Sequence, residues 1–249
     1  MEQTNYTIHS GRANVNLRFA FISDTHNYPN EPIFRVLNRM DPDAVLVGGD
    51  FIQSKTDTLR GLEFLRAAAS RWPVFCSSGK EHDFPDELIR RIEDTGAVFL
   101  RNRSTDFRGI CLGGLNTLPL TGKTPEEREA LIAIDRAWLE EFSRLPRYKV
   151  LLCHHPEYYD LFVKEYPIDL ILSGHAHGGQ IRLFGRGLWA PGQGWVPRYT
   201  SGLYDGRLLV GRGIGNTHRM PRINNNPEIL EVRLLPSVQN GGTGEAISI

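Results

Sequence analysis

The sequence predicts an α/β fold built on parallel sheet, and three observations carry that prediction. Short apolar runs alternate with stretches of helical spacing between Leu17 and Leu172. Each run ends in polar, chemically capable residues instead of an ordinary turn. After Gln180 the texture changes to glycines and short hairpin patterns. Strands alternating with helices favour a parallel sheet covered by helices, and such sheets carry their sites beyond the carboxyl ends of the strands.

Residues 1–16 are polar and read as an N-terminal arm or an edge strand. Leu17–Ser23 is the first strand of the alternating region and ends in Asp24-Thr25-His26. Glu31–Met40 has Ile33, Val36, Leu37 and Met40 on one helical face, and Pro42 breaks it. Ala44–Val47 is a second strand, ending in Gly48-Gly49-Asp50. Asp57–Ser70 is helical, with Leu59, Leu62, Leu65 and Ala69 turned inward. Pro73–Cys76 is a third strand, followed by Ser78-Gly79-Lys80-Glu81-His82-Asp83. Pro85 opens a helix running to about Asp94, at a position that tolerates proline. Two strands follow, near Ala97–Leu100 and Phe107–Leu112. Pro125–Leu145 is a long helix with Thr124 as its N-cap. Tyr148–Cys153 is a buried strand ending in His154-His155-Pro156. A short helix near Glu157–Lys164 leads to the strand Ile168–Leu172, which ends in Ser173-Gly174-His175-Ala176-His177-Gly178. Gln180–Phe184, Leu203–Tyr204, Arg207–Val210 and Glu228–Leu235 read as strands, and Asp205-Gly206 is a hairpin turn signal. Residues 17–236 are expected to form one domain and residues 237–249 a disordered tail.

Composition excludes several classes. Lys+Arg and Asp+Glu are equal at 29 each, which argues against broad electrostatic capture of nucleic acid or of an anionic membrane. Three cysteines without paired spacing suggest reduced thiols, and the polar start lacks a signal-peptide core, so a cytoplasmic protein is expected. No apolar run reaches the length of a membrane span.

The strand ends carry the chemistry. Asp24 with His26, Asp50, Glu81 with His82, His154, and His175 with His177 occupy five strand ends. Six of the eight histidines lie there, counting His155 beside His154. Read singly, Asp24 serves as a helix N-cap, Asp50 as a loop acid and the paired histidines as a polar loop. Read together, they would repel or stay unpaired without a cation. Asp24, His26, Asp50, Glu81, His154, His175 and His177 are too many donors for one tetrahedral ion and suit two metals that share a carboxylate. Imidazole with carboxylate suits Mn, Fe or Zn. His155 reads as a neighbour of the ligands, not as one of them.

In this order the motifs resemble the calcineurin-like metallophosphoesterases: Asp24-Thr25-His26, Gly49-Asp50, Glu81-His82-Asp83, His154 and Gly174-His175-Ala176-His177. The stretch from His177 to Tyr204 is most similar to the branch named after YkuE, which includes lipid-directed enzymes. The resemblance spans about Leu17–Leu235 and implies a four-layer α-β-β-α sandwich. It implies one metal on Asp24, His26, Asp50 and His177. A second would sit on Asp50, the residue before His82, His154 and His175. It also implies His82 as the catalytic histidine, oriented by Asp83. One departure stands out. The family has asparagine before that histidine, whereas this chain has Glu81 and one extra residue, Gly79-Lys80-Glu81-His82. A Glu81 oxygen would tilt the second site toward a harder ion such as Mn²⁺.

The expected activity is hydrolysis of a phosphodiester or pyrophosphate, on a lipid-linked or nucleotide-type small molecule, by hydroxide formed on two divalent ions. The alternative is a non-catalytic metal-binding scaffold altered at Glu81. Nucleic acid is disfavoured as a substrate. Peripheral membrane contact would fall to the aromatic segment of residues 188–199, with Leu188, Trp189, Trp195, Val196 and Tyr199. Arg198, Arg219 and Arg222 are the cationic candidates for phosphate contact.

Overall fold

A computed structural model describes residues 1–11, 13–117, 123–216 and 220–236. The tail expected from Ser237 lies outside them. Among the described residues there are two six-stranded sheets. The first runs β1 (Glu2–Ser10), β16 (Glu228–Pro236), β2 (Leu17–Ile22), β3 (Ala44–Val47), β4 (Val74–Ser77), β5 (Val98–Leu100), with strands numbered along the chain. The second runs β14 (Gly202–Tyr204), β15 (Leu208–Val210), β9 (Leu170–Ser173), β8 (Tyr148–Leu152), β7 (Ile110–Gly114), β6 (Arg103–Phe107). β2 through β5 pair in parallel, as do β7, β8, β9 and β15.

Period-two alternation explains the layering. Leu17, Phe19 and Phe21 of β2, Leu46 of β3 and Phe75 of β4 pack with Val150 and Leu152 of β8 and Leu170 and Leu172 of β9 in one core. That core lies between the sheets. The intervening residues Ala20, Ile22, Val45, Val47, Val74 and Cys76 face outward. They meet α1 (Asn30–Met40), α2 (Leu59–Ala69) and α3 (Asp86–Glu93). Leu151 and Ile171 face the other way, onto α4 (Pro125–Ser143) and α5 (Tyr158–Leu161). Helix, sheet, sheet and helix therefore form four layers, and strands buried on both faces read as continuous apolar runs.

Local signals set the element ends. α4 has a capping box: Thr124 Oγ1 accepts from Glu127 N, and the Glu127 carboxylate accepts from Thr124 N, with Pro125 in the first turn. Asp205 and Gly206 both take positive φ (49° and 67°) in the β14–β15 hairpin, the backbone that Asp-Gly favours. The single strand expected over Phe107–Leu112 is instead a hairpin. Arg108 (φ 43°) and Gly109 (φ 91°) turn the chain, and β6 pairs antiparallel with β7. Gln180–Phe184 contributes only β10 (Arg182–Leu183). β10 pairs with β11 (Arg186–Gly187), and β12 (Trp189–Ala190) pairs with β13 (Gly194–Trp195).

Burial predicts opposite fates for two phenylalanines. Phe19 is fully buried between the sheets and Phe184 is fully exposed. Phe19→Ala is expected to cost ~3–5 kcal/mol in urea unfolding. Phe184→Ala should stay within about 0.5 kcal/mol of the parent.

Candidate metal centre

Five strand ends converge over one edge of the two sheets. Asp24 follows β2, Asp50 follows β3, and Glu81 follows β4 on a short 3₁₀ turn, Lys80–Asp83. His154 follows β8, and His175 and His177 follow β9. The backbone itself knits the ends together: Asp24 N donates to Gly49 O (3.0 Å), His26 N to Asp50 O (3.1 Å) and Gly174 N to His154 O (3.1 Å). Such close approach depends on glycine. A Cβ on Gly49, whose φ is +91°, would lie 2.6 Å from Gly79 N and 2.7 Å from His154 Nδ1.

The side chains then meet around two carboxylates. His26 Nε2 lies 3.4 Å from Asp50 Oδ2, and His177 Nε2 lies 3.6 Å from Asp24 Oδ1. His154 Nε2 lies 3.6 Å from Asp50 Oδ1 and 3.8 Å from Asp24 Oδ1. These spacings are too long for good hydrogen bonds. Two donors adjacent on one first-row cation, each bound at ~2.0–2.2 Å, stand roughly 3–3.6 Å apart. The buried Nε2 atoms of His26 and His154 have no hydrogen-bond partner. Among the described residues, three donor groups have the compactness of a cation site: Asp24–His26–His177, Asp24–Asp50–His154 and His154–His155–His175. The residues present therefore fit divalent cations.

Neighbouring groups prepare the imidazoles. His154 Nδ1 sits 2.6 Å from Gly48 O, whereas His177 Nδ1 has both Gly215 O and Arg222 Nη2 at 3.2 Å. A ring that donates from Nδ1 to a carbonyl presents its Nε2 lone pair, the tautomer a metal needs. His26 differs, because the Lys80 Nζ lies 3.0 Å from its Nδ1. That ammonium also lies 3.7 Å from Asp50 Oδ2, while Lys80 N donates to Asp50 Oδ1 at 2.6 Å. The backbone is strained here: Asp24, His26, Asp50, His175 and His177 all have positive φ, between 43° and 63°.

Charges follow the geometry. Burial alone would raise the Asp50 carboxyl, but His154, His26 and Lys80 pull it well below the usual carboxylate range. Asp24 shifts down against the same burial, through His177 and His154. Burial pushes His26 and His175 down to about 3. His154 moves up despite burial, drawn by Asp50 and Asp24.

Most of the residues picked from the sequence thus come together: Asp24, His26, Asp50, His154, His175 and His177. Glu81 does not face them. Its Oε1 accepts from Phe51 N (2.8 Å) and Ile52 N (3.0 Å), and its Oε2 accepts from Asp50 N (3.0 Å) and Gly79 N (2.9 Å). His82 and Asp83 lie on the 3₁₀ turn, and their side chains fall outside the described residues.

Four residues at the site escaped sequence reasoning. Lys80, the extra residue of its motif, reaches His26 and Asp50. His155 packs against His175 with ring centroids 4.2 Å apart. Glu157, three residues past His154, has its carboxyl pushed up to about 7 by burial and lies 4.0 Å from His175 Nε2. Arg222 entered only as a phosphate contact. It instead donates to Gly215 O (2.7 Å) and Arg212 O (3.0 Å), holding the carbonyl that faces His177. Arg198 pairs with Asp160 at 2.8 Å, and Arg219 lies outside the described residues. Among the aromatic-segment residues, Tyr199 is buried, Leu188 and Trp189 are half-buried, and Trp195 and Val196 are exposed.

Comparison with known proteins agrees with this architecture. The sequence pattern of the calcineurin-like phosphoesterases matches residues 17–179, and the chain belongs to that family of metallophosphoesterases, hydrolases of phosphoric esters. Among curated relatives, YpbG of Bacillus subtilis is 26% identical over 220 residues, covering 85% of this chain and 78% of its own. Phosphodiesterase YaeI of Escherichia coli is 25% identical over 246 residues, 88% of this chain and 82% of its own. The metallophosphoesterase YkuE of Bacillus subtilis is 41% identical over 86 residues, 33% of this chain and 29% of its own. No helix among the described residues is long and apolar enough to cross a membrane.

The depressed imidazoles make a pH prediction. Between about pH 3 and the unfolded value near 6.5, His26 and His175 stay neutral in the folded chain and take up protons when it unfolds. The unfolded state then binds more protons, so stability rises with pH across that window. In chelator-treated protein, the melting temperature should climb from pH 3 to 6.5, and His175→Gln should make the climb shallower. An unchanged slope in the variant would contradict the neutral imidazole.

Proposed function

We propose that this protein is a dinuclear metal-dependent phosphoesterase acting on a phosphodiester or pyrophosphate. The observation that carries the reading is the set of imidazole nitrogens standing 3.4–3.8 Å from two buried carboxylates. Asp24, His26, Asp50 and His177 would hold one cation. Asp50, His154 and His175 would share in holding a second, with Asp50 between them. Bound there, two divalent ions supply Lewis-acid activation of water and neutralise charge on the phosphoryl oxygens.

The chain's own residues do the rest. The Gly48 carbonyl keeps His154 in the ligating tautomer. The Lys80 amide and ammonium hold Asp50 in place. His82, oriented by Asp83, would protonate the leaving oxygen. The donor set of imidazole and carboxylate suits Mn, Fe or Zn. The case for manganese rested on a Glu81 oxygen, and backbone N–H groups occupy both of those oxygens.

A cavity of about 750 Å³ opens beside His175, with Tyr158, Leu161 and Val196 among its walls and Arg128 and Arg198 at hand. Apolar walls with guanidinium groups suit a small-molecule phosphoester carrying a bulky second substituent, nucleotide-like or lipid-linked. The name phosphodiesterase carried by YaeI favours a diester. Cys76, Cys111 and Cys153 are free and buried, which fits a reducing, cytoplasmic setting. The exposed Trp195 and Val196 are where contact with a lipid surface would fall.

Bis(p-nitrophenyl) phosphate with added Mn²⁺ tests the activity. Turnover is expected to vanish with chelator and to return with metal. Asp50→Asn should lose more than about 100-fold, since even residues supporting a ligand cost 10–100-fold. No chelator-sensitive turnover in the parent protein would favour a non-catalytic scaffold, wild-type turnover in both Asp50→Asn and His82→Ala would contradict the site assignment, and duplex DNA should remain intact throughout.

A further inference from the structure

We propose that the second cation site is rebuilt in this chain: His155 supplies the donor that the family takes from asparagine, while Glu81 braces the Asp50 loop. The inference rests on the dinuclear reading above. Its first support is the saturation of Glu81. A carboxylate offers about four acceptor positions, and four backbone N–H groups fill them here. One of those groups belongs to Asp50, whose backbone sits at φ 53°. Turning Glu81 toward an ion would strip buried N–H groups of their acceptors. The glutamate therefore fixes where the bridging carboxylate leaves the backbone.

The second support is His155. It is 4% exposed, and its ring centroid lies 4.2 Å from that of His175 and 4.9 Å from that of His154. One ring nitrogen from each of the three histidines lies within 4.8 Å of the other two. Donors on one first-row ion stand roughly 3–4.2 Å apart, so the three rings lie close to the spacing of a single coordination sphere. The buried Thr117 hydroxyl lies 2.8 Å from His155 Nδ1. With Nδ1 donating to that oxygen, Nε2 carries the lone pair. Three imidazoles and the Asp50 carboxylate would favour a borderline ion such as Zn²⁺ or Fe²⁺ over Mn²⁺.

Metal loading of stripped protein with Co²⁺, read by calorimetric titration and by the visible d–d bands, tests this without measuring turnover. The parent should bind two ions. Parent protein that binds fewer than two overturns the dinuclear reading itself, and this inference with it. His155→Ala should bind one ion, with loss of one set of bands, at a melting temperature that shows it folded. Thr117→Val keeps the ring and should weaken one of the two sites by ~10–100-fold. Glu81→Gln sets an amide NH₂ against backbone donors and should weaken both sites, because both depend on Asp50. Two ions with parental affinity and spectrum in His155→Ala, or parental binding at both sites in Glu81→Gln, would overturn the proposal.

Discussion

Two aspartates buried side by side are the constraint on which this molecule depends. Asp24 is fully buried and Asp50 nearly so, and with His154 they form one compact donor group. Like charges held this close in a poorly solvated place are costly unless something positive joins them. His154, His26, His177 and Lys80 supply part of that positive field. The imidazole nitrogens stop at 3.4–3.8 Å, short of hydrogen bonding. A shared cation is the arrangement these distances satisfy.

The fold exists around that convergence. The inner strands of both sheets are buried on both faces, so alternation onto the inter-sheet core and an outer helical layer locks them in register. Rigid strands deliver their ends to one edge, and strained loops make the last adjustment. Residues beyond the family match at 179 also take part. Gly215 N donates to Asp24 O (2.6 Å), and Asn225 Nδ2 donates to His177 O (2.7 Å). The hairpin-rich C-terminal region is thus a brace for the metal loops as well as a wall of the cavity.

Much of this was legible in the sequence because the periodicities are strong. Val45 and Leu46 could be assigned to a buried strand without knowing which sheet they join. What escaped was decided by backbone conformation or by rotamers. Arg108-Gly109 turns the chain because both residues take positive φ, and Arg-Gly is a weak hairpin signal beside Asp-Gly. Glu81 stood in a ligand's place in the motif, and only the directions of four N–H groups show where its carboxylate goes. His155 looked like a bystander because adjacent residues usually point apart. Past the end of β8, both rings reach His175. Arg222 lies far along the chain from His177, so no local pattern links them.

The most direct test of the central claim is an anomalous-scattering map from crystals of metal-loaded protein, collected at the absorption edge of the ion. The account predicts two peaks flanking the Asp50 carboxylate, roughly 3.5–4 Å apart, one toward His26 and His177 and one toward His154 and His175. A map with no peak among these residues, at full metal loading, would contradict it.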